Sequence, residues 1–153
     1  MSSELTALSL ERTAQLVPPQ ARGELLSVLR EAAALLPVAK AVVAACDVPG
    51  IRATEPAKSA GLVASAFIRM AGRVRSLPVR EPLRSRVARL LDYHAELIGQ
   101  ASLMAYRDRT ERQERARGRG GLGPPAIELA RVADQLARAL DSTSRTPPPS
   151  EAG

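Results

Sequence analysis

Apolar residues fall on a helical period along most of this chain. Leu25, Leu29, Ala32 and Leu36 recur at steps of three and four and continue as Ala39, Val42, Val43 and Cys46, the stripe of an amphipathic helix. This helix starts near Gln20 and stops at Pro49-Gly50. Pro37 lies inside it, where the ring removes a backbone donor and crowds the carbonyl four residues back, so a kink or break is expected there.

The next stripe is the clearest: from about Pro56, residues Val63, Phe67, Met70, Val74 and Leu77 alternate steps of four and three until Pro78 ends the run. Gly61, Ala64 and Gly72 are small enough to let a neighbouring helix approach closely. Pro82 then suits the first turn of a helix that aligns Val87, Leu90, Leu91, His94, Leu97, Ile98, Ala101 and Ala105. Pro124-Pro125 opens another with Ile127, Leu129, Val132, Ala133, Leu136 and Leu140 inward, ending near Asp141. A short helix over about 4–17, with Leu5, Leu8 and Leu16 on one side, precedes them all and ends at Pro18-Pro19.

Four or five amphipathic helices with short proline-marked turns can hide their stripes only against one another. The expected architecture is therefore an all-α, single-domain bundle of four to five helices over residues 1–141, with a long fourth helix and a disordered tail at 142–153 that has nothing apolar to bury. Composition agrees. The 27 Ala and the many Leu lead the helix scale, and Phe67, Tyr93 and Tyr106 are the only aromatics among 153 residues, too few for a sheet-rich core.

Cys46 is the only cysteine, which rules out an intramolecular disulfide and suits a reducing compartment. The stretch MSSELTALSLERTAQLV lacks the basic region and apolar core of a signal peptide, and the greasiest run, Ala32 to Cys46, contains Pro37 and Lys40 and is too short to span a bilayer. The expectation is a cytoplasmic protein with no membrane segment.

The net charge of +6 is unevenly placed. Residues 69–119 hold thirteen Arg against six acids, while the flanks are nearly balanced. Such a block suits nucleic acid, anionic lipid or an acidic partner. The same excess also follows from GC-rich coding, since Arg, Ala and Pro are abundant together. Arg69, Arg73, Arg75, Arg80, Arg84, Arg86 and Arg89 form the best candidate patch. A helical hairpin turning at Pro78 would gather them at one end of the bundle, with Glu81 the only acid nearby in sequence, where they could neutralise phosphates. The more eye-catching run Arg107–Gly121 pairs its own charges four apart, Arg107 with Glu111, Asp108 with Arg112, Glu111 with Arg115. It reads as a solvated continuation of the fourth helix.

The segment Ala57 to Arg69 resembles the turn of repressor helix-turn-helix units, with Gly61 in the turn and Phe67 as the anchor of a recognition helix. Pro56 would then sit inside the unit's first helix, and Val63 stands where a polar N-cap is usual. One uninterrupted helix explains the same residues with fewer assumptions.

Catalytic inventory is thin. His94 is the only histidine, so neither a zincin pair nor paired Glu-x-x-His units can be assembled, and it lies on the apolar stripe between Leu90 and Ile98, the place of a core imidazole donating to a carbonyl. Asp92 and Glu96 flank it on other faces. Cys46 near a helix C-terminus is a poor thiolate and reads as a small core residue. The glycine-rich run Gly118 to Pro125 has neither the Lys nor the preceding strand of a phosphate-binding loop. No enzyme, cofactor or metal is expected. Two readings follow: a non-enzymatic helical module that binds a protein partner or a second copy, or a DNA-binding protein using Arg69 to Arg89.

Overall fold

The computed structural model describes residues 12, 15–46, 54–104 and 122–144. Among the described residues there are four helices: α1 (Pro19–Cys46), α2 (Thr54–Ser76), α3 (Leu83–Met104) and α4 (Gly123–Ser144). No strand occurs among the described residues, and the architecture is all-α. Most of the helix expected at about 4–17, apart from residues 12 and 15–17, lies outside the described residues, as do the run Arg107–Gly121 and the end of the tail. Among those described, α1 is the longest helix at 28 residues and α3 has 22.

α1 touches all three other helices, α2 packs most extensively on α3, and α4 rests on α1 and α3. Each stripe turns inward as its period dictates. Leu25, Val28, Leu29, Ala32, Leu36, Ala39, Val43 and Cys46 are buried from α1, and Phe67, Met70 and Val74 from α2. Val87, Leu91 and Ile98 from α3 and Leu129, Leu136 and Leu140 from α4 complete one core. Phe67 is fully enclosed, and burying such a side chain contributes roughly 1.5–3 kcal/mol.

Several local expectations are corrected. α1 runs through Pro37 without a break. Pro37 stands on the exposed side of the helix, where solvent can satisfy the carbonyl of Ala33 that loses its donor. α2, by contrast, is the one uninterrupted helix that the sequence favoured: it runs through Gly61 without a turn, and the resemblance of Ala57 to Arg69 to a helix-turn-helix is not carried by the structure. Close approach between helices uses the buried alanines Ala57, Ala60, Ala64 and Ala71. A Cβ built at Gly61 or Gly72 would meet nothing within 4 Å, so neither glycine is needed for packing inside this chain. Ile127, expected inside, is 68% exposed and Ala126 is buried instead. The period explains this: Ala126, three residues before Leu129, shares its face, whereas Ile127, two before it, lies about 200° around the helix; the buried Leu122 accepts the Ala126 amide at 2.8 Å. α4 also extends through Ser142–Ser144, three residues assigned to the tail, because a packed helix can carry its last turn past weak helix formers.

Hydrogen bonds fix the ends of the α2–α3 hairpin. At one end Ser102 Oγ donates to the Ala57 carbonyl at 2.8 Å. At the other, the Arg80 amide donates to the Leu16 carbonyl at 2.9 Å, and Val79 and Val17 are both buried there. The chain before α1 is thereby stitched to the α2–α3 turn, which positions the arginine-rich end of the hairpin.

Candidate functional site: the arginine end of the hairpin

Seven arginines were expected to converge where α2 meets α3. The structure divides them. Arg73 leaves the group entirely: its Nη2 lies 2.7 Å from Glu24 Oε1 and its Nη1 2.6 Å from Glu31 Oε2, both on α1. Its Nε also donates to Glu24 Oε1 at 3.0 Å. Hydrogen bonds to Glu24 and Glu31 raise its pKa above the ordinary value, opposed only by slight desolvation. Glu24 and Glu31 are seven residues apart, two turns of one helix face, so a single guanidinium can bridge both. Arg86 turns the other way, with Nη2 3.6 Å from Glu128 Oε1 on α4.

Arg75 pairs with Asp92 of α3, and that bond raises the Arg75 pKa. Arg84 Nε donates to Glu81 Oε1 at 3.0 Å, while Glu81 Oε2 accepts the Ser85 amide at 3.2 Å. Glu81 therefore caps the start of α3. Hydrogen bonding with Ser85, helped to a lesser degree by Arg84, holds its carboxyl below the usual carboxylate range against an opposing desolvation. Arg69, Arg80 and Arg89 are exposed and have no carboxylate within ion-pairing distance among the described residues.

Glu81 is thus not the only opposing acid, as chain proximity suggested. Glu24, Glu31, Asp92 and Glu128 are brought in by packing, and no local sequence feature marked them as partners. What remains together is a depression of about 320 Å³ lined by Arg75, Glu81, Arg84, Ser85, Ala88 and Arg89. Positions 84, 85, 88 and 89 form one stripe of α3, Glu81 stands just before its first turn, and Arg75 closes the wall from the last turn of α2. The buried Ala88 and the short Ser85 leave room between the long arginines.

His94 occupies the place its stripe implied. It is fully buried, its Nδ1–H donates to the Leu90 carbonyl at 2.7 Å, and its ring stacks on Phe67. Nε2 is buried with no hydrogen-bond partner among the described residues. Desolvation lowers the imidazole pKa, partly offset by the Leu90 bond. Cys46 is likewise buried, at the last residue of α1. Among the described residues no three His, Cys, Asp or Glu side chains come together to hold a metal ion, and no helix is long and apolar enough to cross a membrane.

Comparison with known protein families, with curated proteins and with solved structures finds no match for this chain.

Proposed function

We propose that this chain is a non-enzymatic helical interaction module whose docking face is the outside of the α2–α3 hairpin. The stripe Val63, Phe67, Met70 and Val74 suggested pairing from sequence, but it is spent inside the bundle. The support comes instead from the opposite faces. Four of the six large apolar side chains exposed among the described residues belong to this hairpin: Leu62 (73%) and Ile68 (58%) on α2, Tyr93 and Leu103 on α3. On α2 they flank Ser65, whose hydroxyl donates to its own Gly61 carbonyl at 2.9 Å and so makes no polar demand on a partner. Gly61 and Gly72 add a low surface that a partner can approach.

The test is sedimentation of the full chain over a wide concentration range, together with partner capture, for the native sequence and for Leu62→Glu/Ile68→Glu. Association lost in the double variant at unchanged helicity supports the module. A strict monomer whose capture profile is identical in native and variant forms overturns it.

The second reading, nucleic-acid binding through Arg69 to Arg89, is favoured by three exposed arginines, Arg69, Arg80 and Arg89, that have no carboxylate partner among the described residues. It is weakened by the turning of Arg73 to α1 and Arg86 to α4. It requires a duplex affinity that falls steeply with salt and falls again on Arg89→Glu.

A further inference from the structure

We infer that the depression at the α2–α3 junction is a binding site for a compact oxyanion, a phosphate ion or phosphate monoester, held by Arg75, Arg84 and Arg89. Four observations carry this assignment, and it is independent of the docking face on the outside of the hairpin.

The first is charge: three guanidinium groups and one carboxylate line the same concavity. The second is unused donor capacity. A guanidinium carries five N–H donors in a planar fork that matches phosphate oxygens. Arg84 engages Glu81 through Nε, which leaves both terminal nitrogens. Arg75 engages Asp92 through Nη2, which leaves Nη1 and Nε. Arg89 has no carboxylate partner among the described residues.

The third is an internal precedent. The Glu81 carboxylate already sits against this wall, one oxygen on Arg84 and the other on the Ser85 amide, so the surface accepts an oxyanion in this position. The fourth is size. At about 320 Å³ the depression lies at the small end of ligand pockets. Arg73 and Arg86, which would extend it into a track for a polymer, are drawn away to α1 and α4. A small anion suits it better than a nucleic-acid backbone.

The experiment follows the arginine Nε–Hε resonances of the ¹⁵N-labelled full chain during titration with sodium phosphate, with sodium chloride at matched ionic strength as control. A third arm uses a short DNA duplex. Saturable shifts confined to Arg75, Arg84 and Arg89 with phosphate, and absent with chloride, are expected. Arg89→Gln weakens phosphate by roughly two- to fivefold, the factor for one exposed charge contact, and Glu81→Gln tightens it by a similar factor because a competing charge is removed. Both positions are exposed, and Arg84→Gln serves as a second loss variant if circular dichroism shows Arg89→Gln to be unfolded. Uniform drift of all arginines, or an Arg89→Gln affinity equal to that of the native chain, overturns the site. So does a response to duplex alone that also moves Arg69, Arg80 and Arg86, which transfers the surface to nucleic acid.

Discussion

Phe67 of α2 and His94 of α3 stack with ring centroids 5.3 Å apart and planes 15° from parallel, inside the core. The imidazole is held neutral there: Nδ1–H is satisfied by Leu90, and a proton on Nε2 would be a buried charge with no acceptor among the described residues.

This makes stability depend on pH in a defined direction. The folded pKa of His94 lies below the ordinary value of 6.5, so as pH falls below that value the unfolded chain takes up a proton that the folded chain resists. The contribution is complete above pH 6.5 and is lost as pH falls toward the folded pKa. Urea unfolding midpoints measured at falling pH should decline in this window, and His94→Gln should flatten the decline. An identical slope in the variant would place the dependence elsewhere.

Phe67→Ala removes the largest fully buried side chain and exposes one face of His94 to a void. The expected loss is about 3–5 kcal/mol, read from the same denaturation curves. A loss below about 1 kcal/mol, the level of ordinary surface changes, would show that this part of the core is not packed as described.

Arg73→Gln breaks both links from α2 to α1. The groups are more than a third exposed, so screening limits each pair to about 0.2–1 kcal/mol. The total loss should lie near 0.5–2 kcal/mol and shrink in 1 M salt, where the Debye length is about 3 Å. A loss that does not change with salt would attribute the effect to packing of the arginine stem.

Gly72→Ala should raise stability by about 0.5–1 kcal/mol, because the added methyl meets nothing within 4 Å and glycine is a poor interior helix residue. If α2 is the docking face, the same substitution weakens association while strengthening the monomer. Thermal unfolding and sedimentation on one sample separate the two effects.

Pro37→Ala restores the backbone donor that α1 lacks at an exposed position. Stability should rise, by at most about the 3 kcal/mol that separates proline from alanine in a helix interior. A fall would mean that a bend imposed by Pro37 is needed to seat Leu36 and Ala39 against their neighbours.

The helices and their inward faces were set by local order. Leu25, Leu29 and Leu36, or Phe67, Met70 and Val74, share a face wherever the chain is helical, because 3.6 residues make a turn. The isolation of His94 on an apolar stripe followed in the same way. Of the kink or break that Pro37 suggested, no break occurs, since Pro37 stands on the exposed side of α1, while the single helix through Gly61 was legible because the apolar stripe on either side stays in phase. Which arginines stay together was a tertiary decision. Arg73 and Arg75 are two residues apart in sequence, yet one reaches α1 and the other Asp92 of α3, because successive helical positions diverge by about 100° and meet different neighbours. Glu24, Glu31 and Glu128 were invisible as partners for the same reason: a charge pair between helices depends on how the helices are placed, and no short stretch of sequence encodes that placement.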